Sequence, residues 1–342
     1  MTDWVLVVDD DIVNLKMAGR ILSSKGMKVT ALKSGRALLD FIAKLATDVV
    51  PDICLLDVKM PVMDGFETLK ELRKQEKSDE QLPVIFLTAD DTEESETKGL
   101  SLGAMDFIKK PFIPEVLTLR VRHSIDLVHL QKNLTREVIK KTEENRKLFI
   151  HVVSALAEAI DAKDIYTNGH SSRVAKYAKE IAKRYGYDEL KQNDIYVMGL
   201  LHDVGKIGIP DAIIKKSDSL TDAEFETIKK HPIIGSRILE SIKEKPTLAY
   251  GARWHHEKYS GGGYPDGLIG GEIPEEARII AVADAYDAMA SRRSYRDELP
   301  QNVVRAEIEK GKGTQFDPIF ANIMLRMIDE DKDYLMRESA FK

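Results

Sequence analysis

The chain has a single cysteine, Cys54, which lies in the apolar stretch 53–56. One cysteine forms no internal disulfide, which is typical of a reducing compartment, and we expect a buried strand thiol here. No run approaches the roughly 18 uninterrupted apolar residues that span a bilayer. No basic-then-apolar leader precedes the first apolar run. We therefore expect a cytoplasmic protein that does not enter a membrane.

An excess of positive charge is also missing. The sequence has 51 Lys and Arg against 57 Asp and Glu, a formal net charge of -6. Because broad nucleic-acid binding needs a basic face, this balance argues against a nucleic-acid partner. An anionic substrate would have to be held by local positive charge, from metal ions or a few Lys and Arg. The length of 342 residues allows two domains, each with its own core.

Two patterns of hydrophobicity divide the chain. Up to about residue 112, short apolar runs alternate with amphipathic segments of helix length. We expect strands at residues 5–8, 28–32, 53–56, 84–87 and 106–108. This alternation predicts βαβ units on a parallel sheet. After about residue 150 strand signals nearly vanish, so we expect an all-α second half.

Proline and glycine are absent between Pro114 and Gly169. Fifty helical residues would span about 75 Å, longer than one domain needs. Apolar residues that indicate a seam for a partner helix are Leu127, Leu130, Leu134, Val138, Leu148 and Val152. Lys141 and Asn145 interrupt the heptad. We expect residues 126–150 to form a dimerising linker helix, with a solvated single helix or a hairpin as the alternatives.

Polar side chains follow the expected strands at their carboxyl ends: Asp9, Asp10, Asp57, Thr88 and Lys110. In an open α/β sheet, ligands bind outside these ends. Clustered ionised acids need a cation, and an oxygen-rich set suits magnesium. The cation and the lysine would neutralise a phosphoryl group moving to a carboxylate nucleophile. Any one acid after a strand could be a turn or a helix cap, but the whole set favours a phosphoryl-transfer site.

This stretch, over residues 3–125, resembles a response-regulator receiver domain. The resemblance implies a flavodoxin-like α/β fold with a parallel five-stranded sheet in the order 2-1-3-4-5. It implies that Asp57 is the phosphoacceptor, that Asp9, Asp10 and Asp57 hold magnesium, and that a cognate histidine kinase is a partner. The switch residues that it implies are Thr88, Phe107 and Lys110. It also implies a cis peptide bond before Pro111. We place the receiver domain at residues 1–125.

The chain has eight histidines. Three lie in the linker, where we expect a solvated or packing role: His123, His129 and His151. The others are grouped with two acids at spacings of 24 to 32 residues: His170, His202, Asp203, His231, His255, His256 and Asp284. Such spacing lets consecutive helices of a bundle each present a ligand to one point. A lone histidine is more often a core residue, but buried acids beside these imidazoles need the compensation that a metal supplies.

Seven ligands are too many for one tetrahedral ion and enough for two octahedral ions that share ligands. Mixed imidazole and carboxylate ligation suits iron or manganese at least as well as zinc. The motifs that hold these residues cover 161–171, 202–206, 231–235, 255–268, 284–296 and 316–318. They resemble the HD-GYP subgroup of the HD phosphohydrolases, which implies an all-α HD-superfamily domain, placed here at residues 151–342 and joined to the receiver by the long helix.

The resemblance implies metal ligation by all seven residues, with Asp203 as the bridge between two ions. It makes Asp203 and Lys206 catalytic, since Lys206 would share a helical face with His202 and stabilise the transition state. The substrate-binding residues that it implies are Lys206, Gly263, Tyr264, Pro265, Arg293 and Arg296. The alternatives are that Lys206 is an exposed helix lysine and that Arg293 and Arg296 are ordinary surface arginines. Glycines at 260–267 would let backbone approach a ligand, and Tyr264 would stack on guanine.

Two positions depart from the family. Ser260 stands where Asp is usual, which changes a hydrogen bond expected in that loop and leaves the metal ligands unaffected. Tyr166 stands where some members carry a Glu that supports a third ion, and the change predicts two metals rather than three.

The function that these resemblances imply is a phosphorylation-controlled response regulator that hydrolyses cyclic di-GMP to pGpG by a two-metal mechanism, with continuation to GMP left open. Two alternatives remain at this stage. One is a catalytically silent sensor of cyclic dinucleotide that signals through a protein partner. The other is a phosphohydrolase for another nucleotide.

Overall fold

The computed structural model describes residues 2–45, 50–76, 81–89, 93–163, 169–216, 218–292 and 298–336. The chain forms two compact units, Met1–Thr142 and Glu143–Lys342. The finer division at residues 125 and 150 stays a prediction.

The first unit is built on a parallel sheet with the strand order β2-β1-β3-β4-β5, which confirms the predicted topology. The strands are β1 (Trp4–Val8), β2 (Lys28–Leu32), β3 (Ile53–Asp57), β4 (Val84–Thr88) and β5 (Asp106–Lys109). Each predicted strand is therefore confirmed to within one residue at either end. The helices between them are α1 (Ile12–Ser23), α2 (Gly35–Ala43), α3 (Gly65–Gln75) and α4 (Glu93–Ser101).

The three central strands are apolar on both faces because helices cover both sides of the sheet. Every residue of β1, β3 and β4 is buried, including the predicted thiol of Cys54. Side chains alternate along each strand, so Leu6 and Phe86 belong to one core and Val7 and Ile85 to the other.

Short polar residues start the helices at the carboxyl edge of the sheet. Asp11 caps α1 by accepting from the amide of Val13, and Asp64 forms a capping box with Glu67 at the start of α3. A Cβ on Gly65 would lie 2.3 Å from the carbonyl oxygen of Asp57. Only glycine lets α3 begin this close to the end of β3.

The helix α5 (Pro114–Asp161) runs without interruption for 48 residues. This excludes a hairpin, while the dimer stays a prediction. The residues of the predicted seam are all exposed: Leu127, Leu130, Leu134, Val138, Leu148 and Val152. The first turns of α5 contribute Leu117 and Val121 to the core of the first unit, and its last turns contribute Val153 and Ile160 to that of the second. No helix in the described part of the chain is both long and apolar enough to cross a membrane.

The second unit is helical, as predicted, and its described residues hold one isolated β-bridge and no strand. Its further helices are α6 (His170–Tyr185), α7 (Glu189–Leu201), α8 (Asp211–Ile214), α9 (Asp222–Ile228), α10 (His231–Leu239), α11 (Leu248–Trp254), α12 (Glu275–Ala290), α13 (Gln301–Gly311) and α14 (Pro318–Glu330). Short 3-10 helices lie at Val204–Gly208 and Gly270–Glu272.

The helices α6, α7 and α12 form the centre of this core, where Val174, Met198 and Tyr286 are buried. The closest approach is at Gly199 of α7, where a Cβ would lie 2.7 Å from the Cα of Ala175. The contacted atom belongs to the backbone of α6, so it cannot move away without shifting that helix.

We therefore expect Gly199→Ala to destabilise the second unit by about 1–3 kcal/mol through overpacking. The measurement is the free energy of unfolding of this unit in urea. Gly271→Ala is the matched control, because nothing lies within 4 Å of a Cβ at that position. Equal stability of the two variants would contradict this account of the α6–α7 contact.

Candidate metal centre and receiver site

Four of the seven predicted metal ligands stand at the ends of helices, while Asp284 lies inside α12. His170 and His231 are the first residues of α6 and α10, and His202 and His255 directly follow α7 and α11. The prediction that consecutive helices each give one ligand is wrong in detail, since α8 and α9 lie between two contributors and supply none of the seven. A helix end can aim an imidazole inward while the helix itself packs elsewhere.

The structure brings all seven predicted ligands together as two groups and a residue between them. Within each group, one nitrogen or oxygen of every member lies within 4.8 Å of the others. The groups are His170, His202 and Asp284, and His231, His255 and His256. Three donor atoms at this spacing can face one cation, and two such groups lie side by side.

Asp203 lies between the two groups and offers one carboxylate oxygen to each. Its Oδ2 is 3.4 Å from Nε2 of His202 and 3.8 Å from Nε2 of His170. Its Oδ1 is 3.3 Å from Nε2 of His231 and 3.9 Å from Nε2 of His255. A carboxylate placed this way can bridge two cations.

Hydrogen bonds fix which nitrogen of each imidazole faces the cluster. Three Nδ1 atoms lie 2.7 to 2.9 Å from backbone carbonyls of the preceding turn. The pairs are His202 with Gly199, His231 with Ile228, and His255 with Gly251. A carbonyl only accepts, so Nδ1 carries the proton and Nε2 presents its lone pair to the cluster.

His170 is oriented by a charged pair that sequence reasoning missed. Its Nδ1 lies 2.7 Å from Oδ2 of Asp287, whose carboxylate also accepts from Nε of Arg173 at 2.7 Å and is almost wholly buried. Asp287 stands three residues after Asp284 on α12, so both face the same way. This spacing was the available signal.

The donor set fits divalent cations. Nε2 of His202 is buried and has no hydrogen-bond partner among the described residues, an arrangement that a metal ion would satisfy. Burial and the neighbouring imidazoles lower the pKa of His255 well below its usual value and that of His256 to about 4, so both are neutral. Burial opposes ionisation of Asp203, but Lys206 and three histidines hold its pKa well below the usual range.

Lys206 lies in the 3-10 helix Val204–Gly208, with Nζ 2.6 Å from Oδ2 of Asp203. The prediction of a shared α-helical face with His202 is wrong, because α7 ends at Leu201. The tighter turn nevertheless places the ammonium beside the bridging carboxylate.

A cavity of about 370 Å³ opens beside the second group of ligands. Its wall includes His256, Asp284, Tyr264 and, at a distance in sequence, Glu307. The ring of Tyr264 packs against that of His256 at a tilt of 31°, with centroids 4.8 Å apart. One face of the predicted guanine-stacking ring therefore supports a ligand imidazole.

The Gly-rich loop at residues 260–267 packs closely against the backbone that precedes it. A Cβ on Gly263 would lie 2.4 Å from the backbone nitrogen of Lys258. The buried carboxylate of Glu257, which the sequence analysis left without a role, accepts from the amides of Asp266 at 2.7 Å and Gly267 at 3.0 Å. Ser260, one of the two departures, donates through its backbone amide to a carbonyl at 2.8 Å. The bond between Tyr264 and the predicted substrate-binding Pro265 is cis.

Tyr166, Arg293 and Arg296 lie outside the described residues. The predicted phosphate clamps and the second departure from the family pattern therefore stay predictions.

In the first unit, the polar residues at the strand ends also converge. Nζ of Lys110 lies 2.7 Å from Oδ2 of Asp9 and 2.7 Å from Oδ1 of Asp57. An oxygen from each of Asp9, Asp10 and Asp57 falls within one group of possible cation ligands. Burial raises the pKa of Asp57 above its usual value against the opposing effect of Lys110. Asp10 is exposed, while Asp9 and Asp57 are buried.

Of the predicted switch residues, Lys110 contacts this cluster directly. Thr88 is buried at the end of β4. Phe107 packs on Phe86 with ring centroids 5.4 Å apart, beneath Gly99 of α4, where a Cβ would lie 2.4 Å from the Phe107 ring. The cis bond between Lys110 and Pro111 confirms that prediction.

Two family models match the chain. One describes a response regulator receiver domain and matches residues 5–122, and the other describes an HD domain and matches residues 154–319.

Among curated proteins, the chain is 35% identical to a cyclic di-GMP phosphodiesterase of Thermotoga maritima over 98% of this chain and 93% of that protein. It is 33% identical to a probable cyclic di-GMP phosphodiesterase of Vibrio cholerae over 98% of this chain and 81% of that protein. A 3'3'-cGAMP-specific phosphodiesterase of Vibrio cholerae is 35% identical over 61% of this chain and 40% of that protein. The chain belongs to the response regulators that join a receiver domain to an HD-type phosphodiesterase domain, and it is a metal-dependent hydrolase.

Proposed function

We propose that this chain hydrolyses cyclic di-GMP to the linear dinucleotide pGpG at two divalent cations held by the seven clustered residues. The position of Asp203 carries the proposal, because its two oxygens face one group of histidines each. The substrate follows the two relatives that match nearly the whole chain and bear that activity in their names. A cytoplasmic location stays a prediction from the sequence.

When bound, two such cations lower the pKa of a water molecule and polarise a phosphate oxygen. The protein side chains prepare that arrangement. Backbone carbonyls hold Nδ1 of His202, His231 and His255, so that Nε2 faces the cluster, and the carboxylate of Asp287 holds Nδ1 of His170. Lys206 stands next to the centre, where its ammonium can offset the negative charge that develops on phosphorus.

The cavity beside His256 and Asp284 is the proposed place of the dinucleotide. Lys206, Gly263, Tyr264 and Pro265 remain the proposed substrate contacts, together with Arg293 and Arg296. A complete donor set argues against a catalytically silent sensor, since binding alone does not require it. Mixed imidazole and carboxylate ligation suits iron or manganese at least as well as zinc, and we propose iron or manganese here.

Metal content tests the cation site. Asp203→Asn keeps the size of the bridging side chain and removes its charge, so we expect loss of detectable hydrolysis and fewer than two ions per chain. Metal analysis of anaerobically purified protein measures this. Asp222→Asn, on the exposed surface of α9, is the control and should keep both ions. Three ions per fully loaded parent chain would refute the two-metal proposal.

Substrate competition tests the choice of dinucleotide. In one anaerobic assay with iron or manganese, cyclic di-GMP should be consumed before 3'3'-cGAMP, and nucleoside monophosphates should remain. Chromatography of the products should show pGpG first, and GMP only if the linear product is hydrolysed again. Preferential consumption of 3'3'-cGAMP would contradict the proposed substrate and match the activity in the name of the third relative. Binding of dinucleotide without product would favour the catalytically silent sensor.

We also propose that a cognate histidine kinase phosphorylates Asp57 and that the receiver binds magnesium through Asp9, Asp10 and Asp57. Phosphorylation adds charge beside Lys110, Thr88 and the ring of Phe107, and so biases the conformation of this unit. The exposed apolar stripe of α5 is the proposed surface for a second copy of the chain.

Phosphorylation should therefore change the rate of hydrolysis. We expect the parent chain, treated with magnesium and a small-molecule phosphodonor, to differ in turnover from Asp57→Ala treated identically. Sedimentation of both samples reports whether the dimer changes with the rate. Equal turnover of the two proteins, with phosphorylation of the parent verified by mass, would contradict regulation through Asp57.

A further inference from the structure

The carboxyl end of α5 contacts the metal centre on the side of His170. Asp161, the last residue of α5, accepts hydrogen bonds from the amide of Ser171 at 3.1 Å and from its hydroxyl at 2.7 Å. Ser171 directly follows the ligand His170 at the start of α6. The pair is buried, so the end of α5 and the start of α6 are joined away from solvent.

Two residues after Asp161, Lys163 binds the turn that carries Lys206. Its Nζ donates to the carbonyl oxygens of Lys206, Ile207 and Ile209 at 3.1, 2.9 and 2.7 Å. An ammonium has three protons, and these three carbonyls can accept all of them. The carbonyl of Lys206 also accepts from the amide of Ile209 at 3.1 Å, which closes the 3-10 helix, and Lys163 binds this carbonyl together with those of Ile207 and Ile209.

The turn is confined from its other side as well. A Cβ on Gly205 would lie 1.9 Å from the carbonyl oxygen of the ligand His231. The amide of Lys206 donates to the carbonyl of Asp203 at 2.9 Å. Because the turn is packed against one ligand and bonded to another, a shift at its carbonyls moves the ammonium of Lys206 relative to Asp203.

We propose that Lys163 is a positioning residue. It fixes the turn that carries Lys206, so that the position of the α5 end determines where the Lys206 ammonium lies relative to Asp203. This inference rests on the proposed function for its kinetic consequence. Lys163 contacts neither the seven ligands nor the cavity wall among the described residues, so it acts through Lys206.

Lys163→Met, which keeps the aliphatic stem and removes the donors, should lower kcat by about 10–100-fold, the usual effect of losing an outer support. The KM for cyclic di-GMP should stay within about twofold, since the lost effect belongs to the transition state. Metal content should match the parent. Lys163→Arg should recover part of the rate, because a guanidinium also donates to carbonyls.

Lys215→Met is the matched control. Lys215 pairs with Asp211 at 3.0 Å, the same carboxylate that lies 3.4 Å from Lys163, and its ammonium is exposed. We expect parent-like kinetics from it. Hydrogen–deuterium exchange of the amides of Lys206 and Ile209 should accelerate in Lys163→Met and remain at the parent rate in Lys215→Met.

A double variant separates positioning from a general structural effect. If Lys163 acts through Lys206, then adding Lys163→Met to Lys206→Met should lower kcat no further. A multiplicative loss in the double variant would overturn the proposal, as would parent-like exchange together with a parent-like kcat in Lys163→Met. Should the parent hydrolyse no dinucleotide, the proposed function fails, and the exchange rates alone decide whether Lys163 holds the turn.

Discussion

An ionised carboxylate that is almost wholly buried needs compensating positive charge, and Asp203 meets this condition at the centre of the second unit. Burial alone would keep its proton on, yet Lys206 and the surrounding histidines hold its pKa well below the usual range. Besides Lys206, the helix ends bring imidazoles that could hold cations beside this carboxylate. The ends of α6, α7, α10 and α11 therefore meet at the point where the buried charge has to be balanced.

The remaining contacts of the centre serve geometry. The Nδ1 atoms of His202, His231 and His255 are bonded to backbone carbonyls. For His170 the partner is instead a carboxylate from α12. Arg173, one turn later on α6, neutralises the carboxylate. Backbone and side chain thus perform the same task by different means.

The sequence predicted the strands of the receiver to within a residue because alternating apolar runs and polar strand ends are local signals. It also predicted which seven side chains converge, through motif resemblance. It did not predict Asp287 as a support, because the spacing from Asp284 indicates a shared face of α12 and not the contact with His170. The turn of Lys206 was missed for a different reason. Whether α7 continues past Leu201 depends on the packing of Gly205 against His231, a contact between residues far apart in sequence.

The ligands come from helices spread over more than a hundred positions of the second unit, and the receiver contributes none. A cation that binds only the folded arrangement stabilises it in proportion to the logarithm of its free concentration. Scarcity of that cation in the cell would therefore deplete the folded catalytic half first. If the receiver accepts phosphoryl groups as proposed, a metal-starved population would take them from its phosphodonor without delivering an output.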